Sequence, residues 1–278
     1  MYIDCHQHFW RYEAVRDSWI TDAMAGLRRD FLPEHLAAEL TANGMDASIV
    51  VQTDQSERET MFLLDLAEKN RSIAGVVGWV DLQSPRISGR LEHFSHFPKL
   101  RGFRHIVQAE PDDRYLLRED FIRGLAQLGR FGFTFDILIY PRQLPAAIEL
   151  VARLPEQRFV IDHCAKPEVK TGSIEPWSAQ MRKIATYKNV FCKVSGLVTE
   201  ADWNNWKVDD FTPYLDVVFD AFGVDRLMFA SDWPVCLLAG TYAQVKQLVG
   251  EYVKDYPQSD KQKLLGRYAA VFYDSKPA

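Results

Sequence analysis

The chain alternates between two patterns along its whole length. Short, nearly continuous apolar runs begin at Ile3 and recur at 47–52, 73–80, 100–106, 133–139, 158–163, 190–195 and 226–232. Each reads as a strand, and strands apolar on both faces belong in a parallel sheet covered on both sides. Between them lie polar stretches with helical periodicity. Pro33 opens one such helix and Gly44 stops it. Ser56 with Glu59, and Thr241 with Gln244, have the spacing of N-terminal caps. Further helices are expected at 84–97, before Phe131, at 142–153, before Tyr187, at 211–222 and at 260–273. Eight strand–helix units within 278 residues, with no low-complexity linker between them, predict a single (β/α)8 barrel domain over residues 1–278. A doubly wound open sheet is the alternative. It would carry a glycine-rich phosphate turn after its first strand, where this chain has His6-Gln7-His8.

Composition changes this picture little but narrows the partners. Hydrophobic residues make up 47% and charged residues 26%, an ordinary globular balance. The net charge of −5, with no lysine/arginine run, argues against nucleic acid or an anionic membrane as partner. The N-terminus leads straight into a strand without the features of a secretory signal, and no apolar run would span a bilayer. Cys5, Cys164, Cys192 and Cys236 are scattered and form no Cys-x-x-Cys pair, which fits reduced thiols in the cytoplasm. A small-molecule substrate is therefore expected, and a homo-oligomer is compatible with the composition.

In a barrel the chemistry gathers at the C-terminal ends of the strands. His6 and His8 end the first strand, Arg104 and His105 the fourth, His163 the sixth and Asp232 the eighth. Strand alternation puts His6 and His8 on one face and turns Cys5 to the other. Each residue also has a plainer reading. Asp232 before Trp233-Pro234 suits a turn, His163 a satisfied core histidine, and Arg104 an ion pair with an acid such as Asp136. Asp136 itself suits a buried structural pair. Lys166 suits either solvent or a hydroxylated or anionic substrate, and Trp10, Trp79 and Trp233 suit either the core or a sugar face. The convergence of six polar residues on one end favours a shared site. Asp232 is the candidate general base. His163, Arg104 and His105 are candidate donors to a developing oxyanion, and His6 and His8 would hold the same oxygen or a metal. No Gly-x-Ser-x-Gly elbow is present.

These motifs resemble the amidohydrolase superfamily. The resemblance rests on His6-Gln7-His8, His163 within Val160-Ile-Asp-His-Cys-Ala-Lys-Pro167, Asp232 within Phe229-Ala-Ser-Asp-Trp-Pro234, Arg101-Gly-Phe-Arg-His105 and Gly266-Arg-Tyr-Ala-Ala-Val-Phe-Tyr273. More narrowly, the chain resembles the amidohydrolase-2 branch of sugar-acid lactonases, which includes L-fuconolactonases and L-rhamnonolactonases. The resemblance spans the whole chain. It implies a (β/α)8 barrel and hydrolysis of a sugar-acid lactone to the free acid, in carbohydrate catabolism. A metal-dependent decarboxylase on the same barrel, and a non-catalytic sugar-acid binding protein, are the alternatives. Metal-dependent superfamily members commonly take a lysine or histidine ligand from the middle strands. Here the fourth strand ends in Arg104-His105 and the fifth offers only Asp136. The expectation is that no cofactor is strictly required, and that any metal is a single divalent ion, zinc or manganese, on His6, His8 and Asp232, with His163 as a further ligand.

Overall fold

Every apolar run forms a strand. The computed structural model describes residues 1–274, in which eight parallel strands pair in chain order. They are β1 (Ile3–Gln7), β2 (Ala47–Val51), β3 (Ile73–Gly78), β4 (Leu100–His105), β5 (Thr134–Ile137), β6 (Phe159–Ile161), β7 (Val190–Val194) and β8 (Leu227–Phe229). Between and after them run the helices α1 (Pro33–Ala42), α2 (Glu57–Lys69), α3 (Ile87–Ser95), α4 (Glu119–Leu125), α5 (Leu144–Arg153), α6 (Trp177–Ile184), α7 (Thr212–Phe222) and α8 (Tyr242–Tyr252). This is a (β/α)8 barrel, as the alternation predicts. Among the described residues no helix is long and apolar enough to cross a membrane.

The strands are buried on both faces, and the two faces build separate apolar layers. Ile3, Cys5, Ile49, Val51, Val77, Val160 and Met228 pack against one another inside the barrel. Val50, Phe103, Phe135, Phe159, Cys192 and Phe229 belong to the larger outer cluster, together with helix residues such as Leu36, Leu63, Leu91 and Leu150. The C-terminal segment joins the inner cluster through Ala269, Phe272 and Tyr273. Its expected continuous helix is broken into Gln258–Gln262 and Tyr268–Phe272 by a wide turn. The break lies where Gly266 runs against the start of the chain, leaving a Cβ only 2.5 Å from the Met1 carbonyl oxygen.

β1 departs from simple alternation. Asp4 pairs with Ser48 and Gln7 with Val50, so three steps of β1 match two of β2. The extra residue is a bulge. It turns the consecutive residues Cys5 and His6 both inward, correcting the expectation that alternation separates them. Asp4 and Gln7 face outward, to Tyr242 of α8 and to Ser48 of β2. β6 and β8 are shorter than the apolar pattern suggests, so His163 and Asp232 lie just beyond strand ends.

The helical layer tests the packing directly. Gly124 of α4 lies so close to the loop before α3 that a Cβ would stand 2.0 Å from the Leu82 carbonyl oxygen. Gly89 of α3 has nothing within 4 Å. Gly124→Ala should lower unfolding free energy by about 1–3 kcal/mol through overpacking. Gly89→Ala should leave it unchanged or raise it by up to about 1 kcal/mol through helix propensity. Urea unfolding of the two variants checks the contrast.

Candidate functional site

Three imidazoles converge on one carboxylate at the C-terminal end of the barrel. His8 donates from Nδ1 to the Val51 carbonyl at 2.7 Å. His6 Nδ1 faces Asp162 Oδ1 at 3.3 Å, and His163 Nδ1 meets Ser195 Oγ at 2.9 Å. Each ring is thus held by one nitrogen and turns the other toward Asp232. From Oδ1 of Asp232 the Nε2 atoms lie at 3.3 Å (His8), 3.9 Å (His6) and 3.9 Å (His163). All four residues are buried. Burial pushes the His163 imidazole down to about 4. Burial, with Lys193 nearby, pushes His6 well below its ordinary value. Burial resists ionisation of Asp232, but His163, His8 and His6 outweigh it and hold the carboxylate below its usual range.

The donor set fits a divalent cation. Ligand atoms of His6, His8 and Asp232 all lie within 4.8 Å of one another, and so do those of His6, Asp162 and His163. His6 Nε2 and His8 Nε2 approach to 3.2 Å. Two imidazole lone pairs at that distance need a proton or a cation between them. The Val51 carbonyl at His8 Nδ1 and the Asp162 carboxylate facing His6 Nδ1 form the arrangement that orients metal-binding imidazoles.

Local backbone strain aims His163 and Asp232. His163, Cys164, Ala165 and Lys166 all have positive φ, between 50° and 56°. A left-handed turn of four residues with side chains costs roughly 1–2 kcal/mol per residue. Tertiary contacts brace it. Trp177 Nε1 donates to the Cys164 carbonyl at 2.8 Å. Gly196 lies flat against the His163 ring, where any Cβ would come within 2.6 Å of His163 Cβ. Asp232 also has positive φ, 58°. Its turn is tied to β1 across the seam. Asp232 N donates to the His6 carbonyl at 2.9 Å and His8 N to the Trp233 carbonyl at 2.8 Å. Ser231 Oγ donates to Asp4 at 2.5 Å, and Tyr242 donates to the same carboxylate at 3.1 Å.

Below the imidazoles lies a charged cluster in which Asp136 forms the buried structural pair the sequence suggests, with Lys193 and Asp162 as partners the sequence reading missed. Lys193 of β7 is fully buried, its Nζ 2.5 Å from Asp136 and 2.9 Å from Asp162. It also lies 3.0 Å from His6 Nδ1, and Tyr273 donates to Asp136 at 2.7 Å. Burial opposes the charge on Lys193, but Asp136 and Asp162 outweigh it and hold the ammonium above its ordinary range. Burial raises Asp136 to about 6 against the pull of Lys193. Burial also resists ionisation of Asp162, yet Lys193, His6 and Arg104 keep it well below the carboxylate range. The available signal was a lysine inside the otherwise apolar run Val190-Phe-Cys-Lys-Val194.

Arg104 joins the site, but not through Asp136. The two are register neighbours, yet Arg104 reaches up to Asp162 at 3.1 Å and to His6 Nε2 at 3.2 Å, and bonds the Gln52 carbonyl. His105 does not join it. It is the next residue on β4 and so faces the opposite side. There it stacks on Tyr115, accepts from Trp79 Nε1 at 3.3 Å and meets Glu110 at 2.7 Å, which occupies both ring nitrogens. Trp10 and Trp233 are core residues packed on Phe31. All four cysteines are free and buried.

The amidohydrolase family model matches residues 3–274. The chain is an amidohydrolase. This amidohydrolase is 42% identical to an L-fucono-1,5-lactonase of Burkholderia multivorans, over 98% of its own length and 95% of the relative's. It is 37% identical to an L-fucono-1,5-lactonase of Burkholderia ambifaria, covering 86% of its own chain and 82% of the other. A crystal structure of a Burkholderia multivorans amidohydrolase with bound zinc superposes with a TM-score of 0.96 at 40% identity, over 99% and 100% of the two chains. Decarboxylases such as the manganese-bound dihydroxybenzoic acid decarboxylase of Polaromonas share the fold at 14% identity.

Removing Lys193 would leave two buried carboxylates facing each other. Lys193→Met should therefore cost about 3–5 kcal/mol of stability. Asp136→Asn should cost clearly less, because Asp162 still pairs the lysine at 2.9 Å. Denaturant unfolding of both variants tests the order, and a Lys193→Met protein as stable as wild type would contradict it.

Proposed function

We propose that this amidohydrolase opens a sugar-acid (aldono-) 1,5-lactone to the free acid by attack of water on the lactone carbonyl, within sugar catabolism. The observation that carries the reading is the near-full-length likeness to L-fucono-1,5-lactonases. The site supports it chemically. Among the described residues Asp232 is the only carboxylate facing all three imidazoles, and it takes the proton of the attacking water. Ser195 donates to His163 Nδ1, leaving Nε2–H to stabilise the carbonyl oxygen as charge develops. The Arg104 guanidinium, its amino hydrogens held by Asp162, Gln52 and His6, adds positive charge beside that oxygen. Lys193 and Asp162 hold His6 in place from below. His105 has no part in this scheme, since both its nitrogens are engaged away from Asp232.

A single divalent ion, zinc or manganese, fits on His6, His8 and Asp232. When bound it supplies Lewis acidity toward the carbonyl oxygen. Arg104 competes for the same place, because its NH1 group lies 3.2 Å from His6 Nε2 and satisfies that lone pair without a metal. The guanidinium charge also opposes a nearby cation. The ion is therefore accessory rather than obligatory.

A pH-indicator assay across C5 and C6 aldonolactones tests the reading. Acid release from L-fucono-1,5-lactone is expected, and no turnover of any of them by folded protein would sink it. Asp232→Asn keeps the side-chain shape and removes the base. It should lower kcat by about 10²–10⁴-fold while circular dichroism and substrate binding stay close to wild type. After treatment with a strong chelator, with metal removal verified by elemental analysis, most of kcat/KM should remain. Loss of nearly all activity, restored by one equivalent of zinc or manganese, would instead make His6, His8 and Asp232 obligatory ligands.

A further inference from the structure

One charged pair on the same end of the barrel has no part in the scheme above. Lys166 Nζ lies 3.4 Å from Glu200 Oε1, and it sits over the Tyr140 ring, 5.4 Å from the centroid. Tyr140, Lys166 and Glu200 follow β5, β6 and β7 respectively. The pair thus bridges three successive strand ends around His163. Lys166 reaches this position through the left-handed turn. Its N–H donates to the His163 carbonyl at 2.8 Å, an i to i+3 bond. Such a turn stacks side chains three apart on one face. The strain that aims His163 at Asp232 therefore also carries Lys166 over the same opening. Glu200 approaches from the other side, in the short helical turn Val198–Glu200, which packs against Val235–Leu238 just past Asp232. The electrostatics agree. Lys166 is among the charges that press His163 down, behind burial, and Asp232 adds to the burial that raises Glu200.

The pair is largely covered, with side chains 16% and 21% exposed, yet it is under-bonded. At 3.4 Å the contact is longer than a strong charge-assisted hydrogen bond. Among the described residues neither charged end has another hydrogen-bond partner. An ammonium has three donors, and a carboxylate offers acceptor positions on both oxygens. Spare donors beside spare acceptors match neighbouring hydroxyl groups, each of which both gives and takes a hydrogen bond. A plain apolar ring would cover these groups and satisfy none of them.

We infer that Lys166 and Glu200 form the subsite that reads the ring hydroxyls of the substrate and sets a preference for polyhydroxylated lactones over unsubstituted cyclic esters. The inference rests on the lactonase reading above. Lys166 donates to one hydroxyl and Glu200 accepts from its neighbour, away from the carbonyl held near Asp232. Both are specificity residues, and the bond-breaking step does not pass through them.

The test compares L-fucono-1,5-lactone with δ-valerolactone, a six-membered lactone without hydroxyls, on wild type, Lys166→Met and Glu200→Gln. A site built to bond a hydroxyl discriminates strongly against the analogue lacking it. Each variant should lose on the order of 100-fold in kcat/KM for the sugar lactone, mostly through KM, and change by less than about 3-fold for δ-valerolactone. Lys166→Arg should recover part of the loss. Should turnover of δ-valerolactone be too slow to follow, its inhibition constant against the sugar lactone gives the same comparison. Equal losses on both lactones would mark the pair as structural, and an unchanged ratio would mark it as merely solvated; either overturns the inference. A wild type that opens neither lactone would instead count against the lactonase reading. Calorimetric binding of L-fuconic acid would then test the subsite alone, with weaker binding to both variants expected and unchanged binding overturning it.

Discussion

The site depends on a buried lysine being shared by two carboxylates. Inside a closed barrel the Lys193 ammonium cannot reach water, so its charge survives only because Asp136 and Asp162 flank it. Asp162 in turn has room to hold Arg104 and to face His6. Lys193 and Arg104 stand against Asp136, Asp162 and Asp232, two positive charges against three negative. The region therefore carries one excess negative charge away from solvent, while burial keeps the His6 and His163 imidazoles neutral. That balance favours either a proton or a cation among the imidazoles.

Strain is the second constraint. The side chains of His163 and Asp232 project from backbone that residues with side chains rarely adopt. The fold holds both turns with contacts from distant elements. Trp177 of α6 and the glycine after β7 brace the first, and Asp4 of β1 with Tyr242 of α8 brace the second. Asp4 does two jobs here. It satisfies the orphaned main chain of the β8 turn and closes the one seam at which strand pairing is thin. The same turn that positions His163 also sets Lys166 beside Glu200 and Tyr140.

Much of the fold was legible in the sequence, because each strand had to be apolar on both faces and each helix on one. Strand number, strand order and most helix starts followed from that periodicity. So did the convergence of His6, His8, His163 and Asp232, since a barrel brings strand ends together whatever their separation along the chain. His105 is not brought to Asp232, because a strand sends the neighbours Arg104 and His105 to opposite faces. Cys5 was misjudged for the converse reason, since the bulge in β1 suspends alternation at one residue and leaves no mark in the composition.

What the sequence determined by itself was the architecture and the kinds of group available at one end of it, because periodicity and residue chemistry are local properties. Only the tertiary structure decided which groups are partners. Lys193 reads as an ordinary lysine until the barrel closes around it, and Arg104 pairs with Asp162 rather than with its register neighbour Asp136. The left-handed turn at His163 is likewise invisible in the chain, since no glycine marks it. Charge pairing and tolerated strain are both set by what surrounds a residue in space, and that is fixed when the last strand meets the first.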